Sequence, residues 1–142
     1  MSTNSRIAIL NQDNTVESIY CHWDGYLSNN GNILLNHYQD EAKVRELISL
    51  GQISLLEMNV KPVGNTHSFE NIEADCTVAY HRDRGEKLGI DKHVSLVNWQ
   101  RQSQRQEYNY IWIDGKWYYN DGHKKSLKAL IELTVENTSD EG

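Results

Sequence analysis

Apolar and polar positions alternate in short runs at the start of the chain. Residues 6–12 (RIAILNQ) form an apolar run, and Asp13-Asn14-Thr15 is a turn cluster. Residues 16–23 (VESIYCHW) put Ile19, Cys21 and Trp23 on one side and Tyr20 and His22 on the other. Side chains on a strand switch faces at every residue, so two such runs around a polar turn predict a β-hairpin, closed by Asp24-Gly25. The period then lengthens. Residues 28–31 (SNNG) offer caps for a short helix over 32–38, and Asp40 caps a second over 41–50. In the second, Val44, Leu47 and Ile48 fall at i, i+3 and i+4, with Gly51 just past the end and Lys43 on the opposite, solvent side.

A further strand is predicted over 53–58, and a long loop over 59–75 around the single proline, Pro62. Residues 76–81 (CTVAYH) read as a central strand and 93–104 as a helix carrying Val94, Val97 and Trp99. Between them, 82–92 is charged and glycine-punctuated. Asp114-Gly115 between two aromatic, β-branched runs is the strongest hairpin signal in the chain. Residues 125–135, with Leu127, Leu130, Ile131 and Thr134 at helical spacing, predict a helix packing across the sheet. Hairpins mixed with helices in this order predict a single α+β domain over 1–135, an antiparallel sheet with three or four short helices packed on it. Residues 136–142 form an acidic, flexible tail.

Composition narrows the function classes. A chain of 142 residues fits one domain and buries about two-thirds of its unfolded surface. No apolar run reaches the roughly 18 residues of a membrane span, the polar start (MSTNSR) predicts no secretion signal, and two cysteines make no disulfide framework. A soluble cytoplasmic domain without a membrane partner is expected. Fourteen Lys and Arg against twenty Asp and Glu give a net charge of −6, which argues against general nucleic-acid binding. The aromatic bulk comes from eight Tyr and four Trp against one Phe, residues with a polar handle that suit half-wet surfaces.

Two His-x-Asp pairs, His22/Asp24 and His81/Asp83, carry the most suggestive chemistry. On neighbouring strands they would bring two imidazoles and two carboxylates together for acid–base or metal work. Neither has the tight spacing of a metal signature, and no nucleophile elbow, phosphate loop or dinucleotide fingerprint is present, so no catalytic residue, metal or cofactor is assigned. Cys21 reads as a core thiol, because His22 would face away from it. Alternation gives Tyr108, Tyr110 and Trp112 one face of the second hairpin and Ile111 and Ile113 the other. With the Ile face taken as core, the aromatic row becomes a secondary binding candidate for a base, a partner or a second copy in a homodimer. Arg82, Arg84, Lys87, Lys92, Arg101 and Arg105 form the main positive cluster, able to receive a phosphate or an acidic surface. Strand ends are where scaffolds mount binding residues, so Tyr20, His22, Asp24, Tyr26, His81, Arg82 and Arg84 are expected to form one binding patch.

The chain also resembles a small family encoded mainly in bacteriophage and prophage genomes. The resemblance lies in residues 19–26 (IYCHWDGY), Gly31 with Leu34-Leu35 and His37-Tyr38, residues 43–54, residues 78–86 (VAYHRDRGE) and the aromatic hairpin around Asp114-Gly115. It covers about two-thirds of the chain, and Leu27 stands where the family pattern has proline. It implies an accessory protein acting in the cytoplasm of an infected bacterial host, and it supplies no catalytic residues. The reading it favours is a protein that binds and inhibits a host factor, in counter-defence or host takeover. A sponge for a small nucleotide signal and a metal- or His/Asp-dependent hydrolase are the alternatives.

Overall fold

Local signals hold wherever two strands share a tight turn. The computed structural model describes residues 3–102, 106–121 and 126–130. Within them β1 (Ser5–Leu10) pairs antiparallel with β2 (Val16–Cys21), and β6 (Tyr108–Ile113) with β7 (Lys116–Asp121). Asn14, at φ 69°, and Asp114 and Gly115, at 48° and 84°, take the left-handed conformations these turns need. The two hairpins join through their first strands, which run parallel from Ser5↔Tyr108 to Ile9↔Trp112. The sheet is therefore mixed rather than wholly antiparallel, in an α+β fold. Turn chemistry specifies pairing inside each hairpin and says nothing about how one hairpin docks on the other.

On the far side of β2, the short strand β3 (Ile53–Leu55) runs parallel to it and pairs with β4 (Val78–Ala79) at the end of the sheet. β5 (Ile90–His93) pairs with the first part of β2, and β8 (Lys128–Ala129) with β7. The helices are α1 (Asn32–His37), α2 (Glu41–Ser49), α3 (Tyr80–Arg84) and α4 (Leu96–Gln102), and a π-helical turn (Leu27–Gly31) leads into α1. Among the described residues no helix is long and apolar enough to cross a membrane.

The sheet is buried on both faces. On one, Ile7, Ile9, Ile19, Cys21, Tyr110, Trp112 and Trp117 pack under Leu34 of α1 and Val44, Leu47 and Ile48 of α2. On the other, Ala8, Val16 and Ile111 meet Trp99 of α4. The alternation read on β6 is correct but the faces are reversed: the aromatic row, not the isoleucines, meets the larger core. Tyr110 is fully buried and its hydroxyl donates to the Gly25 carbonyl at 2.6 Å. Trp112 meets Trp117 edge-to-face at 5.5 Å, and the Trp117 indole donates to the Tyr38 carbonyl at 2.7 Å. Tyr108 is half-buried against the same core. The row expected on the surface is therefore packed into the larger core through Tyr110 and Trp112.

Three further expectations change. The central strand over 76–81 is only β4, at the sheet edge, because the Asp83 carboxylate accepts the Ala79 amide at 2.8 Å and starts α3 there. Gly85, at φ 71°, ends that helix. The helix over 93–104 begins at Leu96: His93 closes β5, and the Ser95 hydroxyl caps the Asn98 amide at 3.1 Å. Trp99 packs inward from it, while Val94 and Val97 are exposed. In 125–135 the described part, 126–130, holds β8 with Leu130 buried beside it; residues 125 and 131–135 and the acidic tail lie outside the described residues.

Lys43 also departs from the helical-wheel reading. Its Nζ donates to the His37 carbonyl at the end of α1 (2.6 Å) and to the Met58 carbonyl (2.7 Å), and lies 4.3 Å from the centre of the Tyr38 ring. Loss of hydration there lowers its pKa. The ammonium fastens α1, α2 and the start of the long loop to one another.

Candidate functional site

The IYCHWDGY stretch divides into an anchoring half and a presenting half. After β2, the amides of His22 and Trp23 continue along β3, donating to the carbonyls of Ile53 (3.1 Å) and Ser54 (3.0 Å). The chain then bends. Asp24 takes φ 56°, and Gly25 comes so close to β1 that an added Cβ would sit 2.7 Å from the Ser5 Cβ and 2.9 Å from the Thr3 carbonyl oxygen. Asn29 donates to the Asp24 carbonyl at 3.0 Å, and the fully buried Asn30 donates to the Ser5 hydroxyl at 3.2 Å. The asparagines and glycine thus bind this corner to the N-terminal strand. Cys21 is in the core, its thiol pushed up to about 11 by burial.

What the corner presents is aromatic. The Tyr20 hydroxyl lies 2.8 Å from His22 Nδ1, and the His22 ring meets Trp23 edge-on, centroids 4.6 Å apart at 83°. Trp23 is 43% exposed, where strand alternation had placed it with Ile19 and Cys21 on the core side. The bend at Asp24 ends the alternation and turns the indole outward.

A second cluster stands across β3, where Cys21, Ile53 and Ala79 line up in register. Tyr80 of α3 lies 5.6 Å from the Phe69 ring of the long loop, and the Arg84 guanidinium sits 4.1 Å above Phe69 and 5.3 Å from Tyr80. Arg84 also pairs with the Glu86 carboxylate, and His81 Nδ1 donates to the Glu86 carbonyl at 2.7 Å. The Tyr20 phenol has a raised pKa, first because it is partly buried and then because Tyr80 lies near. Through the register Cys21↔Ile53↔Ala79, Tyr20 and Tyr80 adjoin the two outer members of one row across the sheet.

The other predicted site residues have different work. Arg82 points inward: Nη1 donates to the Val60 carbonyl and Nη2 to the Thr77 carbonyl, both at 2.6 Å, and Nε holds Asp83 at 2.8 Å. Asp83, 5% exposed, also accepts from His67 Nε2 at 3.0 Å. Burial alone would raise this carboxyl, yet the bonds from Arg82, the Ala79 amide and His67 bring it down to about 2. The Glu57 carboxyl has a raised pKa, by burial first and then by the charges of Asp75 and Asp24. Tyr26 is half-buried at the start of the π-helical turn. Of the seven predicted residues, Tyr20 and His22 form one group and His81 and Arg84 border another, while Arg82 is turned inward as a clasp.

The His-x-Asp pairs do not converge either. His22 and Asp24 flank a bend, and in α3 residues two apart project in different directions, leaving His81 exposed and the Asp83 carboxylate turned onto His67. Among the described residues no group of three or more His, Cys, Asp or Glu is arranged to hold a metal ion. His67, in a loop without periodicity, carried no signal in the sequence. It sits with Cys76 and Asp83 in a cluster that superficially matches a nucleophile triad. Yet Cys76 Sγ (4.0 Å) and Asp83 (3.0 Å) share one ring nitrogen, Nε2, and Nδ1 accepts the Glu73 amide at 3.0 Å. The nitrogen facing the thiol carries the proton, so it cannot act as the thiol's base, and burial raises the Cys76 pKa.

Comparison with protein-family models, curated proteins and solved structures found no match. The reading therefore rests on the geometry and on the motifs. Of the groups that sequence offered for acid–base work, Asp83 is bound to Arg82 and His67 and His81 to the Glu86 carbonyl, while the rings of Tyr20, His22, Trp23, Phe69 and Tyr80, with Arg84 over Phe69, are partly exposed.

Proposed function

We propose that the protein acts by binding, using the Tyr20–His22–Trp23 and Phe69–Tyr80–Arg84 groups as one contact surface for a host protein that it inhibits in a phage-infected bacterium. One observation carries the reading: an indole 43% exposed on backbone fixed to two strands, in the company of half-exposed rings. Tryptophan, tyrosine and arginine on a rigid scaffold are the residues that dominate protein interfaces, because they bury large areas at little conformational cost. The phage setting and the inhibitory role rest on the motif resemblance. The reading is preferred to a nucleotide sponge, whose expected platform residues Tyr110 and Trp112 pack into the core, and to a metal- or His/Asp-dependent hydrolase, whose Asp83 is bound to Arg82 and His67.

The test is a variant that strips the surface without touching the clasp. Trp23→Ala with His22→Ala should leave the far-UV spectrum nearly unchanged and weaken a partner captured from infected cells by tenfold or more, about 1.4 kcal/mol. Arg82 is unsuitable for this purpose, because its loss would disturb the loop. Undiminished capture by the double variant, or a small molecule released from the wild-type protein in place of a captured protein, would sink the reading.

A further inference from the structure

We infer that the cavity between α1, the Asp114-Gly115 turn and β8 is a binding site of its own, for a small flat aromatic molecule with one negative charge. Its volume is about 490 Å³, within the roughly 300–1,000 Å³ of clefts that hold small organic ligands. Trp112, Trp117 and Leu130 line it from the core, Leu35 of α1 is half-buried beside them, and Ala129 and Lys116 are exposed at its mouth. The cavity stands apart from the contact surface proposed above. Tyr108 is level with Ser5, against which Gly25 packs, whereas Trp112 is level with Ile9. Four residues of strand separate the two by about 13 Å.

The inner walls are fixed before any guest arrives. The Trp117 indole donates to the Tyr38 carbonyl at 2.7 Å, the Trp112 indole to the Glu41 carboxylate at 3.5 Å, and the two rings meet edge-to-face. The Leu130 amide donates to the Trp117 carbonyl at 2.9 Å. Little order is left for binding to impose, and displacing water from such walls is favourable. Indole walls suit a flat ring, since aromatic pairs settle edge-on or offset at about 4.5–7 Å. The sign of the guest comes from Lys116. It is the one charged side chain lining the cavity, and among the described residues it has no ion-pair partner. The Glu41 carboxylate at the Trp112 indole is itself paired with Arg45, at 3.3 Å. A single ammonium balances one carboxylate or sulfonate and falls short of a phosphate chain, which sets this guest apart from a nucleotide.

The test titrates the full chain with two dyes and reads their emission. Anilinonaphthalene sulfonate is a flat aromatic anion, and phenylnaphthylamine is the same ring system without the charge. The sulfonate should bind saturably, one per chain. Lys116→Gln should weaken it by about threefold to fivefold, the worth of one exposed ion pair, and leave the neutral dye unchanged. Ala129→Trp fills the mouth and should weaken both dyes by about tenfold or more. Binding that does not saturate overturns the site, as does a Lys116→Gln protein that treats the two dyes alike, or an Ala129→Trp protein that binds as the wild type does. Should Ala129→Trp fail to fold, NMR of the wild type decides. The indole N–H signals of Trp112 and Trp117 must shift as the sulfonate is added while that of Trp23 stays in place; shifts confined to Trp23 overturn the inference. Either result leaves the contact surface to be judged by its own capture experiment.

Discussion

Asp83→Asn is expected to cost about 3–5 kcal/mol of folding stability, the range for removing one partner from a buried ionic network. Four donors converge on this carboxylate: Arg82 Nε and Nη2, His67 Nε2 and the Ala79 amide. An asparagine keeps the volume but turns an NH2 group toward donors and leaves the Arg82 guanidinium without its counter-charge. Urea unfolding of the two proteins measures the difference, and a loss below about 1 kcal/mol, the worth of an exposed ion pair, would show that the network carries little. The same carboxyl gives the wild type a characteristic acid response. Its folded value, about 2, lies below the ordinary 3.8, so the unfolded chain takes up the proton first. The stabilisation is complete above about pH 4 and is lost as the pH falls toward 2; the asparagine variant should lack this step.

Leu47→Ala is expected to cost about 2–5 kcal/mol, as a fully buried leucine in the main core should. Its neighbour on the same helix makes the informative comparison. A helical wheel puts Lys43 in solvent, where truncation costs under about 0.5 kcal/mol. The structure instead gives its ammonium two backbone carbonyls and an aromatic face, so Lys43→Ala is expected to cost about 1.5–3 kcal/mol, as charged hydrogen bonds do. Thermal melts of the two variants side by side decide: a neutral Lys43→Ala would mean that the clasp is not made in solution.

That contrast marks where the sequence was legible. Both hairpins and α2 could be read because their signals are local: alternation, Asp-Gly, an i, i+3, i+4 stripe. The docking of one hairpin on the other could not, since Ile7 meets Tyr110 without any short-range cue. On β6 alternation separated the faces correctly but could not say which met the larger core, because both are covered. α3 was hidden inside a β-branched run, and the carboxylate that starts it lies four residues past the amide it accepts. In the candidate site, Tyr20 and His22 were visible as the polar side of a strand, and Arg84 as part of a basic cluster. Trp23 was misplaced by extending alternation up to Asp24-Gly25, where the chain already bends, Asp24 standing at φ 56°. Phe69 and His67 carried no pattern at all, since their positions follow from Tyr80, Arg84 and Asp83, which are distant in the sequence.

The parallel seam between β1 and β6 has a consequence for synthesis. Its two sides are made far apart in time, since about a hundred residues separate Ser5 from its partner Tyr108 in the chain. The N-terminal hairpin and α2 can form early, since their contacts are near in sequence, but the inner edge of β1 then waits as an unpaired template beside an open apolar face. Closing so long a loop is slow compared with making a hairpin, so completion of the sheet becomes the late event of folding. The nascent chain is most exposed to mispairing in that interval, and the aromatic face of β6 is what ends it.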